Sequence, residues 1–327
     1  MTPRAWSLSA GVLALYAAAC ALAPLWLDPG LLRLAGEVLL MVAMAQMWNL
    51  LAGYTGLISM GHQVFIGIGA YLLFYVSDRF DIHPFLLVPV AGGAAALVAV
   101  AVAPLLFRLR DAYFSIGIWV FSEIVLAFAS KTRELGATSG VALKATRLVD
   151  VEHFARNTFW IAALLAALAV AGVYALMRSR LGLALMTVRD NELAATSIGV
   201  DVGRNRRLAF AISAFGCGAA GATQYMAAMF VTPDAAFDVN WVVVMMFIVI
   251  IGGIGTIEGP LIGALLYFGL REFLASWFSL SGSLNLVATG AIAVFVMAVA
   301  PRGLWGWARE RWGWQGLVLR RHPPSST

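Results

Sequence analysis

Ten apolar runs, each close to the length that crosses a lipid bilayer, leave this chain almost no way to fold as a soluble protein. They lie near Leu8–Leu27, Leu31–Leu51, His62–Ser77, Pro84–Phe107, Ala112–Ser130, Phe159–Met177, Leu208–Val231, Val239–Ile254, Pro260–Phe278 and Ser283–Ala300. A hydrocarbon core of about 30 Å calls for about 20 such residues in a helix. With 61% hydrophobic and only 12% charged residues, and a mean hydropathy of +0.87, the 327-residue chain is expected to be polytopic. Inside lipid every backbone polar group must be satisfied internally, which makes the expected fold all-α.

Orientation follows from the cations. With both termini cytoplasmic, the cytoplasmic segments hold twice as many arginines and lysines as the opposite side, the bias that sets topology. One transmembrane domain over 1–301 is expected, with a periplasmic excursion at 131–158 and a basic, Trp-rich cytoplasmic tail at 302–327. In that tail Trp305, Trp307, Trp312 and Trp314 alternate with arginines, a pattern suited to the headgroup layer. Small residues around Cys20–Ala23 faintly suggest a cleavage site, but the run is long for a signal peptide, so an uncleaved first helix is expected. The net charge of +5 is what such an orientation produces and is no argument for nucleic acid. Cys20 and Cys217 both fall in apolar runs, against a disulfide framework or a thiolate metal site.

The longest polar insertion with a dense positive excess is Arg178–Arg207, RSRLGLALMTVRDNELAATSIGVDVGRNRR. Thr187 with Asp190 three residues on is a candidate capping box, which predicts a short helix from about Val188. Gly199 is placed to close it in a left-handed conformation. Ala194 and Ala195 would then form a flat patch, with Asp190 and Glu192 at the start and Arg189 to one side. Such a helix suits a groove on another protein; a solvated linker is the plainer alternative.

The stretch Asn49–Gly69, NLLAGYTGLISMGHQVFIGIG, concentrates five glycines with Tyr54, Thr55, Ser59, His62 and Gln63. One reading is a broken helix lining a translocation path, with freed backbone groups available to a polar solute. The other is a short cytoplasmic turn followed by closely packed helices. Glu123 lies about a dozen residues into its run, where an unpaired carboxylate costs about 2.5–3.5 kcal/mol, so it needs a partner, water or a proton. Ala214, Gly218 and Ala222 share the spacing that lets helix backbones approach closely, and Gly255, Gly259 and Gly263 repeat it.

Two of these stretches carry a resemblance. Arg189–Gly199, RDNELAATSIG, resembles the EAA motif of ABC importer permeases at Glu192, Ala194, Ala195 and Gly199. Asn49, Leu50, Gly53, Tyr54, Gly56, Ser59, Gly61, His62, Phe65, Gly67, Gly69, Ala70 and Tyr71 match a run similar to that of branched-chain amino acid importer permeases, the LivM type especially. Leu57 departs from it, since the family often has glutamine there. A Tyr113…Glu123 pattern, a Gly252–Pro260 turn and an external turn at Gly136–Val141 also resemble the family, although Ala137 and Ser139 depart in the last.

The resemblance implies a type II-like importer permease bundle in a bacterial inner membrane. It implies two ABC ATPase subunits carrying ATP and magnesium, a second LivH-type permease as heterodimer partner, and a periplasmic substrate-binding protein. This chain would bind no cofactor itself. Coupling to the ATPase is then expected at Arg189, Asp190, Glu192, Leu193, Ala194, Ala195 and Gly199. The translocation path is expected along Asn49, Tyr54, Gly56, Ser59, Gly61, His62, Phe65, Tyr113 and Glu123. Reversing the charge at Glu192, or adding bulk at Ala194 or Ala195, should uncouple transport without unfolding.

The chain has no G-x-x-x-x-G-K-[ST] phosphate loop, no H-E-x-x-H and no G-x-S-x-G, so no ATPase or hydrolase site is visible. The competing classes are an ion- or proton-coupled secondary transporter using Glu123 or Glu258, and a membrane enzyme with an unrecognised site.

Overall fold

The computed structural model describes residues 19–109, 112–144, 151–278 and 303–312, together with Tyr16, Val287 and 290–292. Half of the first expected span, most of the last and most of the tail lie outside the described residues. The described chain is helical almost throughout, and five helical stretches are long and apolar enough to cross a membrane: Pro29–Thr55, Pro84–Leu106, Ala112–Lys131, His153–Arg178 and Pro233–Gly252, the last made of a short turn and a longer helix.

Helix α1, Pro29–Thr55, is the axis of the bundle. Asp28 caps it by accepting from the amides of Gly30 and Leu31, and Pro29 occupies the first turn, where an N–H would have no helical partner. Its 27 residues span about 40 Å, and from Leu40 to Thr55 every one is buried. A helix buried all round has no polar face, which is why its sequence is apolar without amphipathic period.

After Gly56 the chain is neither helix nor strand as far as Gly61, with a bend at Met60, and then forms α2, Gln63–Phe80. Next come α3, Pro84–Leu106, and α4, Ala112–Lys131. Two 3-10 turns and strand β1, Val141–Ala142, lead into α5, Val151–Arg178. The polar loop holds α6, Arg180–Asp190, and α7, Glu192–Ser197. Beyond it lie α8, Val202–Ala228, strand β2, Phe230–Val231, and the single turn α9, Pro233–Ala236. Helices α10, Asn240–Gly252, α11, Gly259–Phe278, and α12, Gly303–Trp312, follow. Helix α1 packs against α5, α8, α10 and α11, while α2, α3 and α8 pack on one another.

The glycine and alanine spacing explains how α2, α3 and α8 come so close. A Cβ on Gly69 would strike the Gly218 carbonyl, and one on Gly218 would stand 2.5 Å from the Ala95 Cβ. Ala214 and Ala222, one turn to either side of Gly218, are fully buried. Helices α10 and α11 use the same device, since Cβ atoms on Gly252 and Gly263 would strike the Gly259 and Ile248 carbonyls. Without lipid-driven demixing between apolar helices, such close dispersion contact is what holds them together.

The excursion meets the C-terminal end of α2, while the polar loop reaches the C-terminal end of α1. At the α2 end Asp78 accepts from the Lys144 amide at 2.9 Å, and β1 pairs antiparallel with β2 through Val141–Val231 and Ala142–Phe230. Ala137 there holds φ +48°, a strained value for an L-residue, at a position that departs from the glycine of the turn it resembles.

Candidate functional site

The polar loop is a chain of capped helices. Ser179 caps α6 by accepting from the Leu181 amide at 3.2 Å. The expected start at Val188 is not where the short helix begins: Thr187 lies in the last turn of α6 and donates to the Leu183 carbonyl at 2.8 Å. Asn191 breaks the chain with extended backbone and accepts from the Ala194 amide at 3.0 Å, which starts α7 at Glu192. An asparagine cap is among the strongest available, and here it prevails over the Thr187–Asp190 box. Gly199, at φ +84°, closes the helix through bonds from its own amide to Thr196 and from the Val200 amide to Ala195, both 3.0 Å.

This geometry redistributes the expected surface. Ala195 is fully buried, so the flat Ala–Ala patch does not form, and bulk at that position would collide with the protein's own interior. The exposed apolar groups are Leu193 and Ile198, 81% and 72% accessible, with Ala194 between them. Glu192 is bound to Arg206 of α8 at 2.9 Å, which ties the short helix to the bundle.

Arg189 turns away from that surface. Its Nη1 donates to the Gly53 carbonyl in the last turn of α1 at 2.7 Å, and its Nε and Nη2 both reach Asp190 Oδ1 at 3.2 Å. Asn49 lies one turn before Gly53 and clamps the turn between α10 and α11. Its amide Nδ2 donates to the Thr256 carbonyl and its Oδ1 accepts from the Gly255 amide, each at 2.8 Å.

The glycine-rich stretch is irregular from Leu57 to Gly61, and two of its freed carbonyls are met by protein side chains. Trp48 Nε1 donates to the Ser59 carbonyl at 2.8 Å and Ser115 donates to the Ile58 carbonyl. Ser59 and His62 belong to a buried relay. Ser213 gives its proton to the Met47 carbonyl at 2.7 Å, so its oxygen accepts from His62 Nε2, also at 2.7 Å; the Ser59 hydroxyl lies 2.6 Å from Nδ1. Phe65 packs edge-on against His62 and Phe210, whose neighbours are Phe107 and Phe114.

The residues expected along a path therefore divide. Asn49, Tyr54, Ser59, His62 and Phe65 are within the core of this chain, and Gly61 is pressed beneath the Ile118 carbonyl. Gly56 is exposed at the turn, with φ +76°. Tyr113, 72% accessible, and Glu123 face outward on α4, where Trp119 Nε1 donates to Glu123 Oε1 at 3.1 Å. Trp48, Ser213, Thr256 and Arg206 complete these contacts and had no signal in their spacing. The usable clue was that a polar side chain in an apolar run must find a partner.

Ser213→Ala leaves the buried His62 N–H without its acceptor, and is expected to lower stability by about 1–3 kcal/mol, read as a lower melting temperature in detergent. An unchanged melting temperature would contradict the relay.

The permease component of branched-chain amino acid transport systems matches residues 30–297. The chain belongs to this family. Two high-affinity branched-chain amino acid transport system permease proteins LivM are similar to it. That of Escherichia coli K12 is 26% identical over 307 residues, covering 86% of this chain and 71% of its own. That of Salmonella typhimurium LT2 is 25% identical with the same coverage. No solved structure matches.

Proposed function

We propose that this chain is a membrane-spanning permease subunit of a binding-protein-dependent ABC importer in a bacterial inner membrane. Its cargo would be branched-chain amino acids or related small amphipathic solutes. It works beside a second, LivH-type permease, receives solute from a periplasmic binding protein, and is driven by two separate ATPase subunits that carry ATP and magnesium. The observation that carries this reading is α7: a capped helix pinned by the Glu192–Arg206 pair, presenting Leu193 and Ile198 to whatever lies outside the bundle. Closure of the ATPases would move that helix and, through it, favour one of two states of the membrane helices.

The test is reconstitution. The permease pair with its ATPases should accumulate solute in vesicles only with ATP, and the membrane subunits alone should not. Accumulation by the isolated membrane subunits, abolished by a protonophore, would replace this reading with a secondary transporter. Glu123 would be poorly placed for coupling in such a carrier, since its carboxylate is engaged by Trp119 on the outer face of α4.

A further inference from the structure

We propose that Arg189 is the positioning residue through which movement of the coupling helix reaches the membrane core, and that it acts inward rather than on the ATPase. The inference rests on the functional reading above and deepens it.

Arg189 lies in the last turn of α6, two residues before the Asn191 cap that opens α7, and so sits at the junction of the two helices. Its guanidinium nevertheless grips a carbonyl 136 residues away in sequence, that of Gly53. The last carbonyls of a helix have no helical partner and carry its negative dipole end, a natural seat for a cation. The contacts to Asp190 hold the guanidinium from the other side. Two glycines leave room for this one side chain: a Cβ on Gly56 would stand 3.3 Å from Arg189 Cγ and one on Gly255 3.1 Å from Nη1. Gly53 instead lets the Gly255 backbone approach, since a Cβ there would stand 2.6 Å from the Gly255 amide nitrogen.

The grip extends to a second helix junction. Because Asn49 bonds both Gly255 and Thr256, the end of α1 and the α10–α11 turn form one block. Gly255 within that block, at φ +73°, and Gly56 and Gly253 beside it, at +76° and +130°, hold conformations that other residues rarely adopt. Displacing the α6–α7 junction must carry two helix ends with it or break the Arg189–Gly53 bond.

The experiment uses the full permease–ATPase complex in vesicles, with uptake of whichever of leucine, isoleucine or valine the wild type accumulates. Arg189→Met should keep its ATPase subunits bound while uptake falls about 10–100-fold. Arg189→Lys should recover part of the loss, since an ammonium can reach the Gly53 carbonyl but lacks the fork that also engages Asp190. Wild-type uptake by Arg189→Met overturns the proposal, and so does loss of bound ATPase, which would make Arg189 a docking residue. Should Arg189→Met not fold, backbone amide exchange on the wild-type complex decides. With nucleotide trapped, peptides over 49–57 and 252–259 should change together with 187–199; change confined to 187–199 overturns it. Failure of the wild-type complex to bind or respond to an ATPase would instead remove the functional reading itself.

Discussion

Gly69→Leu is expected to leave no folded permease in the membrane, whereas Gly93→Ala leaves its amount unchanged. A Cβ on Gly69 meets the backbone of α8 at Gly218, and Gly218 is itself against Ala95 of α3. A flexible side chain could yield, but a carbonyl within a helix cannot move without separating two packed helices. Overpacking a core costs about 1–3 kcal/mol even where neighbours can adjust, and more than about 4 where a named backbone contact is broken. A Cβ on Gly93 of the neighbouring helix α3 meets nothing within 4 Å, which makes that position the control. Size-exclusion profiles of tagged protein would check both. A monodisperse Gly69→Leu peak at wild-type height would mean that α2 and α8 do not touch as described.

The second large effect is functional. Leu193→Glu combined with Ile198→Glu should leave the bundle folded, because both side chains are exposed, and should abolish ATPase co-purification and uptake. Full burial of such a side chain contributes about 1.5–3 kcal/mol, so losing two removes about 3–6 kcal/mol of docking energy. Each 1.4 kcal/mol is about a factor of ten in affinity, which places the loss at about two orders of magnitude or more. Undiminished ATPase binding by this double variant would show that the exposed face of α7 is not where the partner sits. Bulk at Ala195 is a poorer probe, since it would unseat α7 from its own chain before any partner felt it.

The local grammar of the polar loop was partly legible. Gly199 was recognisable as a helix stop because a glycine after an alanine-rich run favours the left-handed closure. The start was misplaced because Thr187–Asp190 and Asn191 offer competing caps within five residues, and only the backbone path shows that Thr187 is spent on the Leu183 carbonyl. The spacing of Ala214, Gly218 and Ala222 announced a close helix crossing without naming its partners. Arg189 read as a surface cation, and its inward turn was invisible because Gly53 is distant in the chain.

What the sequence determined by itself is the class of molecule: hydropathy and run length demand a helical membrane protein, and two motif-bearing stretches point to its permease family. What only the tertiary structure decided is which polar groups face which neighbours. Helices buried on all sides have no amphipathic period to report their orientation. Their few polar side chains are instead satisfied across the bundle, as Asn49 is by Gly255 and Thr256 and His62 by Ser213, through contacts that no local pattern encodes.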